Sequence, residues 1–315
     1  MKQSPRISIV TATYNRAEYL EETIVSVLEQ NYPDLEYLVI DGGSTDGSVE
    51  VIKKYEKHLT YWESEKDRGQ GHALNKGFRK ASGDILGWIN SDDFYLPGAL
   101  EEIGRVYREF GESVIAGPVI NFNELTGETR LIHPQNITYE KMFEFGLLGR
   151  HNVVWHQPGI FLPRKSFESA GGIDEQWYYL MDHDLYMRIL KHTGVVYAER
   201  PLVKFRVHPD AKTYVYGIDF CLERLRLLEK WAKQDELRND FKSLFPELFS
   251  EAYRHLAGRY ERRGDHRTAA AYKHLSMRYK QQNGRLAAVK ATLAAAQAMP
   301  KLLLSKRLYR SLLVP

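Results

Sequence analysis

The sequence predicts an α/β fold: a mostly parallel sheet flanked by helices, followed by an all-helical C-terminal extension. Three observations carry this expectation. Short apolar runs alternate with helix-period segments in a β-α-β-α-β rhythm. Two of the runs end abruptly in acidic turns, Val39-Ile40-Asp41-Gly42-Gly43-Ser44-Thr45-Asp46-Gly47 and Trp88-Ile89-Asn90-Ser91-Asp92-Asp93. Beyond Thr213, helical periodicity continues without strand signals to the end of the chain.

Ile7 to Thr11 reads as the first strand, and Glu18 to Glu29 as a helix with Leu20, Ile24, Val27 and Leu28 on one face. Leu35 to Ile40 is the next strand. Ser48 to Lys57 is the next helix, with Ser44-Thr45-Asp46-Gly47 as capping residues. Thr60 to Glu63 reads as a short third strand, Gly71 to Ala81 as a helix and Ile85 to Ile89 as a fourth strand. Such an order implies parallel strands joined by right-handed crossovers.

After Pro97 a helix is expected to about Phe110, and Ser113 to Asn123 resembles a strand entering the polar turn Asn123-Glu124-Leu125-Thr126-Gly127. His133 to Val154 is less regular and aromatic-rich, which suits a substrate-facing loop. A helix is expected to begin near Met181-Asp182-His183-Asp184. Val195 to Arg200 and Val203 to His208 close this part, and the boundary near residue 212 divides the chain into 1–212 and 213–315. In the second part, Leu222, Leu225, Leu228 and Trp231 form one stripe and Tyr253, Leu256, Ala257 and Tyr260 another, with Arg262-Arg263-Gly264-Asp265 as a turn between helices.

Composition narrows the class. The chain has 315 residues, 43% hydrophobic and 27% charged, as in soluble globular proteins. The lone Cys221 forms no internal disulfide and favours a reducing compartment. The N-terminus lacks a signal-peptide core and no apolar stretch is long enough to span a bilayer, so a cytoplasmic location is expected. A net charge of +3 does not imply a nucleic-acid partner.

An apolar run ending in carboxylates reads as a buried strand delivering acids to the sheet rim, where open α/β sheets bind ligands. Asp92 and Asp93 would repel each other unless a cation or a proton stood between them, which suggests a metal and a phosphorylated ligand.

Six segments in order carry a resemblance across roughly residues 6 to 212: Thr11-Ala12-Thr13-Tyr14-Asn15-Arg16; Asp41 to Gly47; Asp67-Arg68-Gly69-Gln70-Gly71 with Asn75-Lys76-Gly77; Asn90 to Asp93 with Pro97-Gly98-Ala99-Leu100; Met181 to Leu185; and Arg206-Val207-His208. Together they resemble family-two glycosyltransferases of the GT-A fold, of the bacterial branch that builds O-antigen and other surface polysaccharides.

The resemblance implies roles. Thr11, Thr13 and Tyr14 would wrap the nucleotide base, Tyr14 by stacking, with plain packing as its ordinary alternative. Asp41 would accept a base hydrogen or else cap its own turn; Asp46 is the better placed capping residue, which leaves Asp41 for the ligand. Arg68 is either a solvated arginine or a nucleotide contact through its planar donor fork. The Asn90 turn stands where the family has its Asp-any-Asp motif, and Asn90 removes one charge. Asp92 would then serve ribose and cation, Asp93 the cation, and His208 would stand near metal and diphosphate, with Mn2+ or Mg2+ as cofactor. Asp182 takes the position of the base that deprotonates the acceptor, while Asp184 faces elsewhere and complements the helix N-terminus. Trp155, His156 and Gln157 precede Pro158-Gly159, a segment that in relatives lines the acceptor side.

From residue 282 onward Asp and Glu are absent, while Arg285, Lys290, Lys301, Lys306, Arg307 and Arg310 are basic. Residues 284–315 therefore read as a basic amphipathic helix that lies on an anionic membrane or packs on protein, a second subunit of a homodimer included. The resulting expectation is an inverting, metal-dependent transfer of a sugar from a nucleotide-diphosphate donor, UDP favoured, to a hydroxyl of a glycan or lipid-linked acceptor. Two rivals remain: a non-catalytic nucleotide-sugar scaffold, supported by Asn90, and a sugar nucleotidyltransferase, whose glycine-rich basic first loop Thr11 to Arg16 lacks.

Overall fold

A computed structural model describes residues 4–148, 153–209, 211–212 and 217–281. It divides into two compact units, residues 1–143 with 151–215, and residues 144–150 with 216–315.

The first unit carries the strands β1 (Ile7–Thr13), β2 (Leu35–Asp41), β3 (Tyr61–Ser64), β4 (Ile85–Trp88), β5 (Phe94–Tyr95), β6 (Val114–Ala116), β7 (Val119–Asn123), β8 (Thr129–Ile132), β9 (Ile160–Pro163), β10 (Val195–Tyr197) and β11 (Val203–Val207). Its helices are α1 (Ala17–Leu28), α2 (Ser48–Tyr55), α3 (Gln70–Lys80), α4 (Ala99–Phe110), α6 (Arg164–Ser169) and α7 (Met181–Leu190); α5 (Tyr139–Leu148) runs across the division. Seven strands form one sheet in the order β10-β6-β9-β4-β1-β2-β3, and four form a second in the order β5-β11-β7-β8.

The large sheet is parallel from β4 through β1 and β2 to β3, as the alternating pattern requires. Its register pairs Thr13 with Asp41 and Asp41 with Ser64, so the C-terminal ends of β1, β2 and β3 share one rim. Every β1 residue except Ala12 is buried, because helices cover both faces of a parallel sheet. On one face Leu20, Ile24 and Val27 of α1 pack into the core with Ile9 and Val39. On the other, α3 lies so close that a Cβ on Gly77 would stand 2.5 Å from Val10 Cγ1.

Three features differ from the sequence expectation. Ser113 to Asn123 is two strands, β6 and β7, which enter different sheets after Gly117-Pro118; proline has no N–H for a ladder bond. β9 runs antiparallel between β4 and β6. The stretch from His133 to Val154 contains the helix α5, in which Met142 and Phe143 are fully buried, so part of its apolar content is core.

The second unit contains α8 (Ile218–Lys233), α9 (Asp235–Asp240), α10 (Phe245–Arg262) and α11 (His266–Gln281). α10 and α11 form an antiparallel hairpin zipped by rings, with Tyr260 on Tyr272 at 5.5 Å and Phe249 on Tyr279 at 5.0 Å. Gly264 takes the left-handed turn position at φ +78°. The basic segment 284–315 lies outside the described residues. Among those described, no helix is long and apolar enough to cross a membrane.

Candidate active site

The rim is built first from two stapled turns. Beyond β1, the Asn15 backbone N–H donates to Ser44 Oγ at 2.8 Å, and Asn15 Oδ1 accepts the Thr45 N–H at 2.9 Å. Ala17 N donates to Asp46 Oδ2 at 2.9 Å, which closes α1 onto the turn before α2. Asp46 also accepts from the Ser48 N–H at 3.0 Å, so it caps as expected.

Asp41 does not stand free at this rim. It is fully buried; its Oδ2 accepts from Gly43 N at 3.0 Å, Ser44 N at 2.9 Å and Ser64 Oγ at 2.6 Å, and its Oδ1 accepts from Ser44 Oγ. Both oxygens are consumed in tying the β2 turn to β3, so Asp41 and Asp46 are both capping residues. Thr11 is likewise internal, its hydroxyl 3.1 Å from Tyr37 Oη. Thr13 is different: its Oγ1 is buried at the strand end and has no hydrogen-bond partner in the structure, an orphan that a ligand can satisfy. Tyr14 is 61% exposed. A Cβ on Gly42 would come within 3.3 Å of the Tyr14 ring and 2.8 Å of Asp67 Oδ2. Gly42 thus leaves no room for a side chain between the Tyr14 ring and the Asp67 carboxylate, which brings Asp67, quoted in the sequence only as part of its segment, beside Tyr14 at this rim. Asp67 lies three residues beyond β3. Arg68 turns away, its side chain 68% exposed and ion-paired with Glu175 at 2.5 Å.

The second acidic turn divides its two carboxylates. Asp92 is partly exposed and its Oδ2 lies 3.1 Å from Nε2 of the buried His208. Asp93 points inward: Oδ1 accepts the Arg206 N–H at 2.9 Å, Oδ2 accepts Asn90 Nδ2 at 3.0 Å, and its backbone carbonyl accepts Thr23 Oγ1 at 2.7 Å. Burial and the neighbouring Asp92 push the Asp93 carboxyl well above the usual range. Asp93 thus joins β11 and α1 to the turn, and the metal role expected of it is not matched by its geometry. Behind the turn, Arg206 is buried; its Nε donates to Asp92 O at 3.1 Å, Nη1 to Glu124 at 2.8 Å, and Nη2 pairs with Glu22.

Asp182 is the second residue of α7, half-buried, with Oδ1 accepting the His183 N–H at 2.7 Å. The turn before α7 is clamped to α3: Asn75 Oδ1 accepts Ile173 N at 3.0 Å, and Asn75 Nδ2 donates to Ile173 O at 2.8 Å. A Cβ on Gly71 would stand 3.7 Å from Met181 Sδ, so α3 sets where the start of α7 lies. Asp184, fully buried, pairs with Arg188 at 3.0 Å; that guanidinium also donates to Gly172 O at 2.8 Å and to Ala170 O. The two acids separated by one residue therefore do different work, Asp184 holding the glycine turn from inside.

Trp155, His156 and Gln157 are half-buried and engaged with the body. Trp155 meets Tyr186 edge-on at 5.0 Å, and Gln157 Nε2 donates to Trp88 O at 2.9 Å. His156 packs on Phe205 at 5.2 Å, and burial lowers its pKa to about 4.

The donor set tests the expected cation. Among the described residues no group of three or more His, Cys, Asp or Glu side chains converges. Asp92 Oδ2 and His208 Nε2 do converge, at 3.1 Å. Two protein donors, one carboxylate and one imidazole, fit a divalent cation that completes its shell with phosphate oxygens and water.

A mainly parallel sheet flanked by helices is the GT-A architecture. The chain belongs to glycosyl transferase family 2, whose profile matches residues 8–168, and is thereby a glycosyltransferase. It is 28% identical over 219 residues, 68% of each chain, to an uncharacterized glycosyltransferase of Rickettsia typhi. It covers only 35% and 34% of two longer Rickettsia relatives. It is 30% identical over 157 residues, 48% of this chain and 62% of the other, to TuaG of Bacillus subtilis, a putative teichuronic acid biosynthesis glycosyltransferase. Among solved structures, S. aureus TarS residues 1-349 in complex with UDP-GlcNAc superposes with a TM-score of 0.59 at 16% identity, covering 88% of this chain and 92% of that one. The Pyrobaculum calidifontis mannosyltransferase PcManGT, in complex with GDP-Man and Mn2+, gives 0.51 at 20% identity, covering 98% and 83%.

Proposed function

We propose that the protein moves a sugar from a nucleotide-diphosphate donor to a hydroxyl of a glycan or lipid-linked acceptor in surface polysaccharide synthesis, with inversion at the anomeric carbon. One observation carries the reading: Asp92 and His208 converge at 3.1 Å on the rim that also bears the exposed Tyr14 and the orphan Thr13 hydroxyl. The donor-bound states of TarS and PcManGT and the name of TuaG agree with it.

In this scheme Tyr14 stacks on the base over Gly42, with Thr13 Oγ1 and Asp67 as polar contacts. Asp182 takes the proton of the acceptor hydroxyl as its oxygen attacks the anomeric carbon. The bond from that carbon to the diphosphate breaks, and the electron pair leaves with the nucleoside diphosphate. A divalent cation held by Asp92 and His208 together with the diphosphate would neutralise the charge of that leaving group. Asp182 accepts the His183 N–H at 2.7 Å, which holds its carboxylate at the start of α7, so its service as a base rests on position.

The test is release of nucleoside diphosphate from a panel of UDP- and GDP-sugars with Mn2+ and oligosaccharide acceptors. Release abolished by EDTA and by Asp92→Ala is the expected result. Donor binding without release on every acceptor would favour a non-catalytic scaffold instead.

A further inference from the structure

The position that departs from the family motif sits in a hydrogen-bond relay. Asn90 Nδ2 donates to Asp93 Oδ2 at 3.0 Å, Gln70 Nε2 donates to Asn90 Oδ1 at 3.0 Å, and Lys212 Nζ donates to Gln70 Oε1 at 3.0 Å. The polarity of this chain is fixed from its lysine end. The ammonium can only donate, so Gln70 presents its oxygen to Lys212 and its nitrogen to Asn90, and Asn90 in turn presents its nitrogen to Asp93. A side chain at position 90 must therefore accept on one side and donate on the other. Asn does so; an ionised Asp has no donor, and would set another carboxylate against Asp93.

The relay links a cation to the turn that carries Asp92 and Asp93. Lys212 lies four residues after His208, and its Nζ also sits 4.0 Å from the centroid of the Tyr178 ring, four residues before Asp182. An amide oxygen at the start of α3 and the face of the Tyr178 ring are among the contacts that hold the ammonium. Compared with an Asp at position 90, the Asn90 turn carries one negative charge fewer, and Lys212 adds a positive one at the far end of the relay. Both features favour an anion there.

We propose that Lys212 is a further donor-binding residue: its ammonium holds the diphosphate of the nucleotide sugar and shares, with the cation at Asp92 and His208, the negative charge that grows as the nucleoside diphosphate departs. Asn90 supports this arrangement by accepting from Gln70 while donating to Asp93, and it adds no charge of its own to the site. The inference rests on the donor reading given above. It adds the group that grips the phosphates, and gives Asn90 a function other than loss of activity.

Isothermal titration compares UDP and GDP with uridine and guanosine on the full chain, wild type and variants, with circular dichroism as the check on folding. Lys212→Met is expected to weaken the preferred nucleoside diphosphate by about tenfold or more while leaving the uncharged nucleoside unchanged, and Lys212→Arg to recover part of the loss. Gln70→Leu, which cuts the relay without touching the charge, is expected to weaken the diphosphate by a smaller factor. Equal affinity of wild type and Lys212→Met for the diphosphate overturns the role of Lys212 and leaves the donor reading standing. A wild-type protein that binds neither diphosphate overturns the donor reading itself.

Discussion

Asp92 Oδ2 and His208 Nε2 meet at 3.1 Å across 116 residues of sequence, at the junction of the large and small sheets. The Asp92 turn follows β4 of the large sheet, and His208 follows β11 of the small one. Arg206 locks them together by donating its own N–H to Asp93 and its Nε to Asp92 O. The site is thus a property of two sheets in fixed register.

Removing either member should separate metal use from donor recognition. His208→Ala and Asp92→Ala are each expected to lower kcat by about 10²- to 10³-fold and to raise the Mn2+ concentration for half-activation. Metal titration of initial rates measures both.

Arg206 is expected to matter for folding as much as for activity. Arg206→Ala leaves Asp92 O, Glu124 and Glu22 without their common donor, two of them partly solvated, at a cost of about 2 kcal/mol. Urea unfolding followed by fluorescence reads the change in midpoint.

Asp41 distinguishes a capping role from a ligand role. Its carboxylate accepts from Gly43, Ser44 and Ser64 inside the protein, so Asp41→Ala should destabilise the fold by about 2 kcal/mol or more. A variant as stable as wild type that only loses nucleotide affinity would return Asp41 to the ligand.

His156 gives a pH dependence with a definite sign. Burial lowers its folded pKa to about 4, while the unfolded chain titrates near 6.5. The unfolded state takes up the proton first, so stability from this group is full above pH ~6.5 and is lost as pH falls toward about 4. His156→Gln should flatten the unfolding free energy across that window, measured by denaturant titration at several pH values.

Much of the large sheet was legible because its strands are apolar runs punctuated by turn residues, and the boundaries of β2, β4, α3 and α7 fall within a few residues of expectation. The antiparallel β9 was not, since periodicity reports burial and says nothing of direction. The site was legible as a set of places rather than of atoms. Sequence put acids at the rim but could not tell that Asp93 would face Arg206 N or that Asp41 would be saturated by its own turn, because both depend on side-chain direction. The pairing of Lys212 with Gln70 was not legible because the contact spans 142 residues and leaves no local pattern.

The most direct test of the account is the rate of nucleoside diphosphate release by Asp182→Asn in the presence of donor, Mn2+ and acceptor. If Asp182 deprotonates the acceptor, release falls by about 10²- to 10⁴-fold while the dissociation constant for the nucleoside diphosphate is unchanged. Release at the wild-type rate would contradict the assignment of the base and, with it, the mechanism built on this rim.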